Sequence, residues 1–121
     1  MKYMLLIYDD TKQWEKFTPK QQQEGMELYM QFTQDIKKSG HWVASNQLQP
    51  VSVATCVRER EGKRLVTDGP YAETREQLGG FYMIEAKDLD EAIAIAARVP
   101  SAKWGTVEVR PIVERPAQAT A

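Results

Sequence analysis

Asp68-Gly69-Pro70-Tyr71-Ala72-Glu73-Thr74-Arg75-Glu76 is a polar loop set between two segments of strand character, and its reading decides the fold. Asp68-Gly69-Pro70 is a turn signal. Asp bonds nearby backbone, Gly permits positive φ, and Pro fixes its own φ. Upstream, Val51, Val53, Thr55 and Val57 alternate with Ser52, Ala54, Cys56 and Arg58, which predicts a strand over Val51 to Glu59. Arg60-Glu61-Gly62-Lys63 reads as a hairpin turn and Arg64 to Thr67 as the return strand. Downstream, Gly79 to Ala86 is apolar on both faces through Phe81, Tyr82, Met83 and Ile84. Gly79-Gly80 at its start implies close approach to a neighbouring backbone.

The pattern extends to both ends of the chain. Lys2 to Tyr8 lacks alternation, as in a strand covered on both faces, and Asp9-Asp10-Thr11 ends it. Thr18-Pro19-Lys20-Gln21 opens a helix that runs from Pro19 to Ser39, with Thr18 as cap and Gln21 completing a capping box. Its apolar stripe is Gly25, Leu28, Tyr29, Phe32 and Ile36, with Gly25 expected to pack against the sheet, and Gly40 ends it. Trp42 to Leu48 is a strand. Asp88 caps a second helix with a buried stripe of Leu89, Ala92, Ile93 and Ala96, stopped by Pro100. Trp104 to Arg110 is the last strand, with Val107 and Val109 facing in. The order matches an α+β, ferredoxin-like βαββαβ plan with an inserted β-hairpin. Such a sheet carries both helices on one face. The apolar opposite face predicts a homodimer, two sheets meeting face to face.

A chain of 121 residues, 42% hydrophobic and 27% charged, fits one globular domain, expected over residues 1–115 with a disordered tail at 116–121. The net charge of −1 gives no electrostatic footprint for nucleic acid or for an anionic membrane. The apolar run at the N-terminus is too short to span a bilayer and has no small-residue cleavage site. With the single Cys56, which has no internal disulfide partner, this predicts a cytoplasmic protein.

The Asp68 loop carries the densest polar chemistry. Asp68 is either the former of its turn or a general acid or base at a pocket shared with Tyr71, Glu73 and Arg75. Arg75 alternatively neutralises the acids in an ion-pair network. Trp14, in the connection after the first strand, is either core or a pocket lid, and Tyr8 ends that strand. His41, the one histidine, follows a helix end and reads as a surface residue, while Cys56 reads as an inert thiol. One His and one Cys make a metal site improbable, and there is no phosphate loop, dinucleotide fingerprint or Ser-His-Asp arrangement, so no cofactor is expected.

Val66-Thr67-Asp68-Gly69-Pro70-Tyr71-Ala72-Glu73-Thr74-Arg75-Glu76-Gln77-Leu78-Gly79-Gly80-Phe81-Tyr82 resembles the signature of the DGPF-domain proteins, within the YCII-related group. The likeness extends through Leu89-Asp90-Glu91-Ala92, Ala96-Ala97-Arg98-Val99-Pro100 and Gly105 to Pro111, and to the first strand; Tyr71 stands where Phe is usual. The resemblance implies a dimeric α+β barrel built on the ferredoxin-like plan. It also implies a cleft in which a His–Asp pair has been proposed as active site, with Asp68 matching the Asp. The helix over Pro19 to Ser39 lacks the corresponding histidine, and His41 lies beyond its end. Two functions follow. One is a homodimer binding a small molecule near Asp68, with Tyr8, Trp14, Tyr71, Glu73 and Arg75 as ligand-binding residues. The other is a non-catalytic accessory or regulatory protein linked to sigma-factor or stress systems. Whether the protein is an enzyme stays open at this level.

Overall fold

Side-chain alternation along β1 (Lys2–Asp9) organises the molecule. Tyr3, Leu5 and Ile7 are buried on one face, while Met4, Leu6 and Tyr8 point to the other and are only partly covered. The computed structural model describes residues 1–115, and the tail expected from residue 116 lies outside the described residues. β1 is flanked on both sides by antiparallel strands, β5 (Gln77–Glu85) and β6 (Thr106–Pro111). β2 (Trp42–Gln47) pairs with the far side of β5, giving a four-stranded sheet of order β2-β5-β1-β6. This is the ferredoxin-like order expected from the sequence.

Both long helices lie on the face of Tyr3, Leu5 and Ile7. α2 (Pro19–Lys38) contributes Phe32 and Ile36 to the core, and α3 (Leu89–Ala96) contributes Ala92, Ile95 and Ala96. Thr18 accepts the Gln21 amide at 3.1 Å while the Gln21 side chain accepts the Thr18 amide at 2.9 Å, so the capping box is formed. Two expected stripes are corrected. Leu28, Leu89 and Ile93 are exposed; α2 buries Gly25, Phe32 and Ile36, and α3 buries alanines and Ile95. The inner face of α3 is thus small except at Ile95, and Leu89 and Ile93 lie on its outer side.

The connection after β1 also contains a short helix, α1 (Thr11–Glu15), with the Asp10 carboxylate accepting the Lys12 amide at 3.0 Å. The strand expected from Val51 begins only at Thr55. Pro50 starts a single 3-10 turn, Val51–Val53, closed by Val53 N–H to the Pro50 carbonyl and Ala54 N–H to the Val51 carbonyl. Alternation over so few residues does not distinguish a strand from a turn whose Val53 is exposed. β3 (Thr55–Arg60) and β4 (Lys63–Asp68) then form a separate two-stranded arm. Glu61 and Gly62 take positive φ at its tip, as a tight two-residue hairpin turn requires. Among the described residues no helix is long and apolar enough to cross a membrane.

Candidate functional site

Strand alternation that places Tyr3, Leu5 and Ile7 in the core carries one step further to Asp9. A carboxyl group is thereby set at the end of an otherwise apolar row, half-buried. The chain crowds around it. A Cβ on Gly79 would lie 3.4 Å from Asp9 Oδ1, and one on Gly105 would collide with the Tyr8 carbonyl oxygen and come within 3.1 Å of Asp9 Cβ. Gly105 therefore lets the segment leading into β6 close on the end of β1, whereas the distance at Gly79 is ordinary van der Waals contact. Burial pushes the Asp9 carboxyl above its ordinary value, and the charges of Glu76 and Asp10 push it the same way.

Asp9 lies on a groove of about 690 Å³ between α2, the ends of β2 and β5, and the segment leading to β6. Trp14 and Trp104 form part of its wall. Phe17 links them, with ring centroids 5.7 Å from Trp14 and 6.0 Å from Trp104, both edge-on. Gly25 explains how Trp14 is seated. A Cβ there would meet the indole at 3.1 Å, so this glycine makes room for Trp14 rather than for the sheet. The Gln22 side chain also donates to the Trp14 carbonyl at 3.1 Å. Met26, Met30 and Leu48 supply apolar lining further along, and Ser45, Asn46 and Gln47 bring polar groups from β2.

Two partly buried hydroxyl pairs lie at the groove, with Tyr29, Tyr82 and Ser101 in its lining. Tyr29 bonds Ser101, which is fully buried. Burial, with a smaller contribution from the Asp9 charge, outweighs that hydrogen bond and pushes the Tyr29 phenol up to about 12, so it stays protonated. Thr33 donates its single hydroxyl proton to the Tyr29 carbonyl at 2.9 Å, so Tyr82 must donate in the 2.7 Å bond between Tyr82 and Thr33. Burial raises the Tyr82 phenol as well.

The residues expected from the sequence are distributed unevenly around this groove. Trp14 lines it. Tyr8 faces the opposite side of the sheet; there partial burial, then the Glu108 carboxylate, raises its phenol. Asp68 ends the exposed arm, opposite Thr55, and lies outside the groove lining. Gly69 does supply the turn geometry foreseen, at φ 103°, and its N–H donates to the Ala54 carbonyl at 2.8 Å. Tyr71 is 83% exposed, with the Arg58 guanidinium 5.8 Å from its ring centroid, and Glu73 is exposed. Arg75 takes the ion-pair reading, its Nε donating to Asp10 Oδ2 at 3.2 Å. Partial burial of Asp10 acts in the opposite direction, but the Lys12 amide and the Arg75 guanidinium hold its carboxyl below the ordinary value. Glu76 accepts from the Thr106 hydroxyl at 2.8 Å, so the loop is fastened at its end beside Asp9.

His41 bonds Ser39 through Nδ1 at 2.7 Å and faces Glu91 through Nε2 at 3.3 Å, joining the end of α2 to the start of α3 away from the groove. Cys56 points its thiol at the Gly69 carbonyl, 3.3 Å away. Among the described residues there is no cluster of His, Cys, Asp and Glu that could hold a metal ion.

The site can therefore do two things chemically: hold an apolar body against tryptophan and methionine, and present carboxyl groups to it, the half-buried Asp9 and Glu15. A family model for the YCII-related domain matches residues 1–115. An uncharacterized protein of Rhizobium meliloti (strain 1021) is 32% identical over 114 residues, covering 93% of this chain and 92% of that protein. The chain belongs to the YCII-related family.

Proposed function

We propose that this chain is a homodimeric small-molecule-binding protein of a reducing, cytoplasmic compartment, whose ligand occupies the groove at the Asp9 end of the sheet. The observation that carries the reading is the groove itself. Its volume of about 690 Å³ lies in the range of sites for small organic ligands, and a half-buried carboxyl interrupts its largely apolar wall. Asp9 is held toward its neutral form by burial and by Glu76 and Asp10, which suits it to exchange a proton with a bound molecule closer to neutrality than an ordinary aspartate. That role goes to Asp9 rather than Asp68 because Asp9 is on the groove and Asp68 is exposed on the arm. Trp14 keeps the binding role expected of it, as part of the wall. Arg75 acts at one remove, by fastening the loop to Asp10.

The test is native mass spectrometry of the purified protein for a co-purified ligand, joined to thermal-shift screening with small aromatic compounds. Stabilisation of the wild type is expected, with the shift lost in Trp14→Ala. A screen in which no compound stabilises the protein and none co-purifies overturns the proposal.

A further inference from the structure

The groove's charge is of one sign. Its charged lining groups are Asp9 and Glu15, and among the described residues no lysine, arginine or histidine lines it. Asn46, Gln47 and Gln77 are neutral amides that serve a ligand of either sign. Arg75 and Lys12 both act on Asp10, and neither lowers the Asp9 carboxyl; Arg75 is paired with Asp10 and its side chain is 90% exposed. Glu76, also beside Asp9, is another carboxylate and is engaged by the Thr106 hydroxyl. An anionic ligand would meet carboxylates with no compensating donor charge, and burying it there would be unfavourable. A cation meets the reverse: a carboxylate to pair with, and indole rings whose π-faces attract positive charge.

We propose that the groove selects organic cations: a protonated or quaternary nitrogen lodges at Asp9, against the tryptophan wall of Trp14 and Trp104, and the ligand's apolar body runs toward Met26, Met30 and Leu48. The inference rests on the reading of the groove as a ligand site and adds the ligand's charge. It also accounts for the carboxyl's surroundings. A bound cation supplies the countercharge that the surroundings of Asp9 lack, and so favours its ionised form against burial and the charges of Glu76 and Asp10. Unbranched methionines at the far end accommodate bodies of differing shape.

The experiment uses three molecules of nearly one shape: naphthylethylamine, naphthylethanol and naphthylacetate. Each is titrated at neutral pH into the full chain, and affinity is read from the indole N–H resonances of Trp14 and Trp104. The amine is expected to bind about tenfold or more tighter than the alcohol, the advantage a carboxylate and a π-face give a cation, and the carboxylate to bind weakest. Asp9→Asn, shown to be folded by its amide spectrum, is expected to remove most of the amine's advantage over the alcohol and leave the alcohol unchanged. Glu15→Gln is expected to produce a smaller loss of the same kind. Equal binding of amine and alcohol, or tighter binding of the carboxylate, overturns the cation inference while the groove remains a ligand site. If none of the three moves either indole resonance, the groove reading falls and the cation with it.

Discussion

Asp9 shows what a single residue imposes. In β1 it continues the row Tyr3, Leu5, Ile7 by side-chain alternation, past the register shift against β5 between Ile7 and Tyr8, so the strand that builds the core also draws a carboxyl out of water. Its pKa is raised by burial first and by like charge second. The folded state therefore holds the Asp9 proton to higher pH than the unfolded chain does. Stability contributed by this group is present at low pH and is lost as pH rises from the ordinary value of 3.8 through the raised folded value. Asn has the same shape and no charge. Asp9→Asn is thus expected to melt at a higher temperature than the wild type at neutral pH, and the difference should shrink on acidification and vanish by about pH 3, well below the ordinary value of 3.8, where Asp is neutral in both states. Calorimetry of both proteins across that range checks it. An Asn variant less stable at neutral pH would mean that the ionised carboxylate makes a favourable contact in the fold. The sequence carried the signal for this residue, an acid in phase with buried positions, yet the adjacent Asp10 and Thr11 give the same pair a simpler reading as a strand end. Asp68 drew attention for a genuine turn, but the turn is built by the positive φ of Gly69, and the acid beside it points to solvent.

Strands and helices were the most legible scale, because period and caps are local. The Thr18 box, the Pro19 start and the Glu61-Gly62 turn all form as their chemistry dictates. What local pattern does not contain is which side of an amphipathic helix the sheet will choose, as Leu28 and Leu89 show, nor that β3 and β4 join no other strand. The arm is a two-stranded sheet whose residues are exposed along nearly its whole length; its opposed valines, Val57 and Val66, are 64% and 58% exposed. An isolated hairpin is at best marginally stable in water. Amide hydrogen exchange should therefore separate the two sheets. The hydrogen-bonded amides of β3 and β4 are expected to exchange through local opening, at least about a hundredfold faster than those of β1 and β5, whose exchange needs global unfolding. Protection in the arm equal to that in β1 would show that something else covers it, and a second copy of the chain is then the first place to look.

At the scale of the whole molecule the unresolved surface is the sheet face turned away from the helices. Cross-strand pairing places Met4 beside Met83 and Leu6 beside Phe81 at its centre, with Ala44 next to Met83 on the β2 side. Every helix-borne core residue lies on the opposite face. A row of large apolar side chains on a flat sheet is the kind of patch that monomers seldom leave in water, and two such faces stack at a spacing of about 10 Å. A two-fold arrangement would bring each face against its own copy, with the charged pair Glu108 and Arg110 on β6 toward the rim. The composition already implied this, since β1 and β5 are apolar on both sides and helices cover only one. Met83→Lys places an ammonium at the centre of that face without touching the helical core. In a monomer the side chain reaches water at little cost, whereas between two sheets it is an unpaired buried charge. Sedimentation is expected to show the wild type at twice the chain mass and Met83→Lys at the mass of one chain, with the same helical circular dichroism. A wild type that sediments as a monomer at micromolar concentration removes the homodimer, and the apolar face then requires a different occupant. A Met83→Lys protein that remains a dimer moves the interface elsewhere, with the β3–β4 arm, where Val57, Leu65 and Val66 are exposed, as one other apolar surface.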